Sequence, residues 1–104
     1  MTVRAGGTAS SATPTINTDN YDYYELTALA VDITSMSSGL SGTPTKGQLL
    51  WLSFVGTGTR AITWGASFEN GAVTLPTGTT GTTRLDVGFI WNDVTSKWRC
   101  MAAG

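Results

Sequence analysis

The sequence contains no histidine and only one cysteine among its 104 residues. Without histidine the chain lacks the side chain that most often serves as a general base or a metal ligand, and nucleophile arrangements that depend on histidine are excluded. The single cysteine, Cys100, excludes a disulfide within one chain and is expected to be a small buried hydrophobe. We therefore predict a protein that is not an enzyme and that binds no cofactor or metal.

Charge and long apolar runs are also scarce. Charged residues make up 12% of the chain, about half of the ~25% typical of soluble domains, and the net charge is -1. This balance offers no electrostatic footprint for nucleic acid or for an anionic membrane surface. No apolar run reaches the roughly 18 residues of a transmembrane helix, and no apolar segment follows Arg4 as in a signal peptide. We expect a soluble chain made in the cytoplasm.

Short alternating segments are abundant. The run LLWLSFV at residues 49–55 predicts a core strand, and GTGT at residues 56–59 predicts a turn. The chain would then return through residues 60–64, so residues 47–68 are expected to form the central β-hairpin. Residues 23–29 alternate with period two, which is typical of a half-buried strand.

The clearest strand covers residues 84–91, and residues 97–102 return after a turn, so that Trp91 and Trp98 are expected to form a cross-strand pair. Turn signals recur near every ten residues, and no segment predicts a convincing helix. The pattern predicts an all-β fold of six to eight short strands, arranged as an antiparallel β-sandwich or a jelly-roll-like barrel.

The chain is long enough for one domain. Residues 1–15 are small, hydroxyl-rich and poor in apolar side chains, and are expected to be a flexible N-terminal arm before a single β-sandwich domain at residues 16–104. Val3 and Arg4 are the anchoring residues of this arm. Either the arm is frayed, or it orders against a neighbouring subunit. In both cases its removal would leave the stability of an isolated domain unchanged.

The densest group of oxygen ligands is Asn17, Asp19, Asn20 and Asp22. Such a group can hold a hard cation weakly, but short Asx residues in series more often bond their own backbone in turns. We favour the turn network. A glycosidase-like pair of carboxylates is neither indicated nor excluded by the positions of the acidic residues.

Aromatic side chains are the remaining candidates for binding. Tyr21, Tyr23, Tyr24, Trp51 and Trp64 would stack on sugar rings if they were exposed, but tryptophans on alternating strands are expected in the core. The three clustered tyrosines suit a subunit interface as well as a glycan surface. Together with the two arm residues named above, they are the predicted partner-binding residues.

The order of these pieces resembles a small β-domain that recurs in virion proteins of tailed bacteriophages. The similarity covers residues 13–102 and includes INTDNYD, LSGTP, AITWGASF, LPTGTTGTT and the closing GFIWN with SKW. AITWGASF is the most specific piece. Trp91 supplies the third aromatic of the closing motif, and the TGTTGTT segment is looser than the corresponding segment of the pattern.

The resemblance implies a virion structural protein. In the similar proteins the domain often ends a longer tail or fibre protein, whereas this chain has only a short arm before it. We therefore expect a capsid decoration (cement) protein that binds the major capsid protein on the outside of the phage head as a homo-oligomer, with a trimer as the first guess. The alternative is a tail fibre or receptor-binding module that recognises a host cell-surface glycan.

Overall fold

The computed structural model describes residues 2–104, and this part of the chain folds into strands joined by irregular segments, with no helix. The predicted all-β class is therefore confirmed at this level. No helix in the described range is long and apolar enough to cross a membrane. The eight strands are β1 (Ala5–Thr8), β2 (Ile16–Asn17), β3 (Tyr23–Leu29), β4 (Leu40–Ser41), β5 (Leu49–Gly56), β6 (Phe68–Glu69), β7 (Leu85–Asn92) and β8 (Lys97–Ala103).

Six of the strands form one sheet in the order β1-β3-β5-β7-β8-β6, and β2 pairs with β4 separately. The sheet is mixed, because β1, β3 and β5 run parallel to one another, whereas β7 runs antiparallel to both β5 and β8. The prediction of a purely antiparallel arrangement is wrong. Parallel neighbours need a crossover connection instead of a hairpin, and the long segments at residues 9–22 and 30–48 are such crossovers.

The predicted central hairpin is wrong in its second half. Strand β5 forms as expected, but both of its edges are already occupied, by β3 and by β7. The segment at residues 60–64 therefore cannot pair with it. Instead, Ala61 bridges to Gly78 and Ile62 bridges to Ile33, within the irregular layer over the sheet.

The last two strands follow the prediction closely. Strands β7 and β8 are antiparallel neighbours, and Trp91 lies opposite Trp98 with the ring centroids 5.2 Å apart in an edge-to-face arrangement. Val87, Phe89 and Cys100 point into the core, as the alternation indicates. The register shifts between Gly88 and Phe89, so β8 carries a bulge.

The core lies on one side of the six-stranded sheet. Its inward side chains come from alternate positions of β3, β5, β7 and β8, and the side chains that cover them come mostly from irregular segments, including Ile33, Met36, Ile62 and Trp64. The layer opposite the sheet is therefore built largely from loops, with the small β2–β4 ladder beside it. Residues 2–104 do not form a sandwich of two antiparallel sheets.

Trp64 occupies the centre of this core. It is 6% exposed, and its ring contacts Phe54, Phe68 and Phe89 at centroid distances of 5.9, 5.2 and 5.4 Å. Its indole Nε1–H donates a 2.7 Å hydrogen bond to the carbonyl oxygen of Pro76. The prediction that Trp64 is a core residue is confirmed.

Part of the expected arm is a strand of the sheet. Strand β1 pairs in parallel with β3, at the edge of the sheet, with Ala5 opposite Tyr23 and Thr8 opposite Leu26. Gly6 is needed there, because a Cβ on it would lie 2.3 Å from the ring of Tyr21. The continuation of the segment also contacts the domain, since Ala12 accepts hydrogen bonds from the backbone N–H groups of residues 34 and 35.

Candidate interaction surface

The side of the sheet that faces away from the core is the most distinctive surface of the molecule. We call it the outer face, and it is formed by the alternate side chains that the core does not use. Its members include Tyr23, Glu25, Leu49, Trp51, Ser53, Glu69, Asp86, Gly88, Ile90, Asn92, Lys97, Arg99 and Ala102. No segment of the described chain forms a second layer over Leu49 and Trp51, which are 50% and 43% exposed.

Trp51 lies at the centre of the outer face. Its register partner on β7 is Gly88, and a Cβ at Gly88 would lie 2.7 to 2.9 Å from three atoms of the Trp51 six-membered ring. The ring therefore lies flat across the β7 backbone, and only glycine leaves room for it. One side of the ring contacts the sheet and the other is turned to solvent.

An open groove of about 530 Å³ runs beside Trp51 at one end of the outer face. Val3, Tyr23, Leu49 and Trp51 supply its apolar walls, and Val3 is 58% exposed. Its other lining residues are Asp22, Gly47 and Gln48. The groove thus brings together two of the predicted partner-binding residues, Val3 and Tyr23, with five residues outside that set, among them Leu49 and Trp51.

The polar groups around this groove are already engaged within the chain. Gln48 donates from Nε2 to the carbonyl oxygen of Thr18 at 2.9 Å, and its Oε1 accepts from the backbone N–H of Thr45 at 3.1 Å. The phenol of Tyr23 donates to Glu25 at 3.1 Å and accepts from Arg84 at 3.0 Å. The rim of the groove is therefore polar but already bonded.

A hydrogen-bonded chain crosses the outer face from β3 to β7. It begins at Glu25, continues through Tyr23 to Arg84, and ends where the Arg84 Nε donates to Asp86 at 2.9 Å. The carboxylate of Asp86 raises the pKa of the Arg84 guanidinium, chiefly through this hydrogen bond. Ser53, which lies between Glu25 and Asp86 in register, is only 2% exposed although it belongs to the outer face.

Arg4 joins the first residues of the chain to the domain. Its guanidinium bonds Asp22 at 2.8 Å and also contacts the carbonyl oxygen of Asp19, while its own carbonyl oxygen accepts from the backbone N–H groups of Asp22 and Tyr23. The pKa of Asp22 is lowered, first by the side-chain hydrogen bond from Arg4 and then by the bond from the Arg4 backbone N–H. Of the predicted partner-binding residues, Arg4 is therefore engaged within its own chain.

The three tyrosines do not form one surface. Tyr24 points into the core and is 8% exposed, and burial raises the pKa of its phenol. Tyr21 is half-buried against Tyr24 with the ring centroids 5.3 Å apart. Tyr23 alone belongs to the outer face, because side chains alternate along β3.

The oxygen-rich segment at residues 17–22 forms the turn network that the sequence favours. Asn17 Oδ1 accepts from the backbone N–H of Asp19 at 3.0 Å, and Asp19 Oδ1 accepts from the backbone N–H of Thr43 at 2.9 Å. Within residues 2–104, no group of three or more His, Cys, Asp or Glu side chains is placed to hold a metal ion. Cys100 is fully buried, and burial raises the pKa of its thiol.

The sequence reasoning missed Leu49 and Trp51 as surface residues. Trp51 was expected in the core because it lies on an alternating strand, and this is wrong, since its side chain is 43% exposed. The alternation in residues 49–55 already indicates which face of the strand is exposed. Leu50, Leu52 and Phe54 lie on one face, and Ser53 shows that the other face, with Leu49 and Trp51, is the less apolar one. Comparisons with protein-family models, curated proteins and solved structures found no match to this chain.

Proposed function

We propose that this chain is a structural protein of a bacteriophage virion, and that it is a capsid decoration protein. In this proposal it is made in the host cytoplasm and is not an enzyme. It binds the major capsid protein on the outside of the head as a homo-oligomer, and it uses no cofactor, nucleic acid or membrane. Two things support the proposal: the resemblance of residues 13–102 to a domain of virion proteins, and the exposed apolar outer face.

The position of the shared motif in the fold favours a structural role. In AITWGASF the large side chains Ile62, Trp64 and Phe68 are all core residues. Ser37 braces the same segment, because its Oγ donates to the carbonyl oxygen of Trp64 at 2.7 Å and accepts from the backbone N–H of Ser67 at 3.1 Å. Ile62, Trp64 and Phe68 therefore hold a scaffold together and do not line a ligand site.

The outer face is the observation that carries the proposal. A sheet normally buries one face and presents polar residues on the other, whereas here Leu49 and Trp51 lie side by side with Tyr23 and Val3 near them. Apolar patches of this kind on a soluble chain mark interaction sites. On a shell the same contact is repeated over many copies, so that weak individual contacts give tight overall attachment.

A receptor-binding module is the second candidate, and the flat, solvent-facing ring of Trp51 is the observation in its favour. Aromatic rings of this kind stack on the apolar face of a sugar. A glycan site also needs free hydrogen-bond partners for the sugar hydroxyls. Asp22, Tyr23 and Gln48 around the groove are already bonded to other groups of the chain. The geometry therefore favours a protein partner.

The test is co-sedimentation of the purified chain with empty phage heads that lack it, together with binding to intact host cells. We expect binding to heads and not to cells. Trp51→Ala should weaken head binding by about 2 kcal/mol or more, roughly 30-fold, as for a central aromatic contact. Val94→Ala is the control, because Val94 is 88% exposed in the turn after β7.

Binding to cells with no binding to heads would replace the proposal by the receptor-binding candidate. Equal head binding by the Trp51→Ala and Val94→Ala chains would show that the outer face is not the attachment surface. Detection of the chain on the head or on the tail of intact particles, by immunogold labelling, decides the location independently.

A further inference from the structure

We propose that a small cavity on the core side of the sheet binds one neutral sugar ring, such as the terminal residue of a glycan. The cavity lies where β7 turns into β8, between that end of the sheet and the β2–β4 ladder, and its volume is about 150 Å³. A cavity of roughly this volume holds one six-membered ring. The groove beside Trp51 is a separate feature, because it lies on the opposite side of the sheet.

The cavity brings together pieces of sequence that lie far apart in the chain. Every residue that lines it belongs to INTDNYD, LSGTP, AITWGASF, GFIWN or SKW, the pieces on which the resemblance to virion domains depends. The core explains the large apolar residues of these pieces. It does not explain their serines, and the cavity does.

Two indole rings form the main apolar wall. Trp91 and Trp98 lie opposite each other on β7 and β8, with ring centroids 5.2 Å apart and ring planes at 67°. Leu40 and Pro44 supply the remaining apolar surface on the side of the small ladder. Ligand sites are commonly built from such walls with a few polar groups placed among them. The apolar face of a sugar ring packs well on this kind of surface.

The indole N–H of Trp98 is the observation that points to a ligand. Trp98 is 1% exposed, and its Nε1–H donates no hydrogen bond to any group within residues 2–104. Every side-chain nitrogen or oxygen in this range that is sealed from solvent has a partner, so this N–H supplies the residual exposure of Trp98. Since Trp98 lines the cavity, the N–H opens into it. An occupant must bring an acceptor, because a buried donor left unpaired is costly.

Three hydroxyl groups at the cavity are free as well. Those of Ser41, Ser67 and Ser96 make no hydrogen bond within residues 2–104, and each can both donate and accept. The hydroxyl of Thr18 is instead fully buried and donates to the carbonyl oxygen of Ser41 at 3.0 Å, which holds the wall in place. No lining residue is charged. An ionised ligand would therefore find no counter-charge, and the cavity suits a neutral ligand with several hydroxyls.

A sugar ring fits these features better than a side chain of a protein partner does. A side chain carries its polar atoms at the tip, whereas a pyranose presents an apolar face to the indoles and hydroxyls around its edge to the free donors. The groove beside Trp51 offers the contrast, because Tyr23 and Gln48 are already bonded within the chain. Free hydrogen-bonding groups and an aromatic wall occur together at the cavity.

The inference goes beyond the proposed function and does not depend on it. A chain attached to a shell through its outer face keeps the cavity free, since the cavity is on the other side of the sheet. One sugar ring in one small site binds with roughly millimolar affinity, which is too weak to hold a single chain on a cell. Many copies on one head would bind a glycan-coated surface tightly.

The test is a titration of the isotope-labelled chain with the methyl glycosides of glucose, galactose and N-acetylglucosamine, followed by two-dimensional NMR. The four tryptophans give four indole N–H signals, two from the cavity, one from Trp51 on the outer face and one from Trp64 in the core. We expect at least one sugar to shift the Trp98 and Trp91 signals saturably and to leave the other two unchanged. Glycerol, which has hydroxyls but no ring, is the ligand control.

Two variants remove free hydroxyls. Ser67→Ala and Ser96→Gly should each raise the dissociation constant of the sugar roughly 3- to 10-fold, the effect of one hydrogen bond. Ser96 has φ +56°, a conformation that glycine adopts without strain, so Ser96→Gly should fold like the parent. Thr82→Ala is the matched control, because this exposed hydroxyl precedes the opposite end of β7, and it should bind like the parent.

No shift of the Trp98 signal with any of the three sugars, equal shifts with glycerol, or unchanged affinity in both serine variants would each overturn the sugar site. Shifts confined to Trp51 would instead place sugar binding on the outer face. Loss of head binding by Ser67→Ala and Ser96→Gly, with no effect of sugars on the parent, would assign the cavity to the shell protein. Sugar binding is measured without heads, so its failure and the failure of the proposed function are distinguishable.

Discussion

Replacement of Trp64 by phenylalanine tests whether the loop layer is a true core. The variant loses the indole Nε1–H, so the carbonyl oxygen of Pro76 loses its 2.7 Å partner. An unpaired, partly buried acceptor costs up to about 1–3 kcal/mol, and the smaller ring leaves a void among Phe54, Phe68 and Phe89. We expect a total loss of about 2–4 kcal/mol in the free energy of unfolding.

For a chain of 104 residues this loss lowers the melting temperature by roughly 8–30 °C, since 1 kcal/mol corresponds to about 4–8 °C in domains of this size. Trp64→Ala should lower the free energy of unfolding by about 3–5 kcal/mol or more. This loss is comparable to the whole stability of a small domain, so the variant should not fold at ordinary temperature. The assay is equilibrium unfolding in guanidinium chloride, combined with thermal melts, at one fixed chain concentration.

Val94→Ala is again the matched control, because the 88% exposed Val94 should change the unfolding free energy by less than about 0.5 kcal/mol. If Trp64→Phe melts within a few degrees of the Val94→Ala chain, the loop layer does not pack tightly on the sheet. The reasoning about the core would then be refuted, whatever the function of the outer face.

Three further outcomes follow from the contacts of single residues. Removal of residues 1–8 should lower the free energy of unfolding by about 1–3 kcal/mol, because the backbone hydrogen bonds between β1 and β3 are lost. Thermal melts measure this loss, and an unchanged melting temperature would instead support the free arm expected from sequence. Because the pKa of Asp22 is lowered, its contact with Arg4 stabilises the fold at pH values above the ordinary carboxyl pKa, and this stabilisation is lost as the pH falls through the lowered pKa. Hydrogen exchange of the β1 backbone should therefore speed up in acid. An Arg4→Ala chain should show no such acid dependence. Gly65→Ala should lower the free energy of chemical unfolding by about 1–3 kcal/mol, because Gly65 has φ +81° and a Cβ would lie 2.6 Å from the Oγ of Ser37. An unchanged free energy of unfolding would mean that the backbone of this turn adjusts to the new side chain without strain.

The sequence predicted the local features of the fold well. Alternation over residues 84–91 and 97–102 is set by which side of a strand meets the core, and this information is local, so the two strands and the Trp91–Trp98 pair are confirmed. The turn network around Asn17 and Asp19 is equally local, since it depends on short side chains that bond backbone groups nearby.

The partners of each strand were not predictable in the same way. The run at residues 49–55 shows that β5 is a strand, but nothing in it specifies that β3 lies on one edge and β7 on the other. The prediction of a hairpin rested on the proximity of residues 60–64 in sequence. The pairing that forms is long-range, and the segment at residues 60–64 packs over the sheet instead.

The candidate surface shows the same division. The sequence by itself determined a histidine-free, weakly charged, strand-forming chain whose alternation separates Leu50 and Leu52 from Leu49 and Trp51. Only the tertiary structure decided that the first pair is covered and the second is exposed, because the irregular segments that carry Ile33, Met36, Ile62 and Trp64 pack on the side of the first pair. It also decided that Tyr23 joins Trp51, while Tyr24 is buried. Alternation defines two faces of a strand, but which face is covered depends on where distant segments of the chain pack.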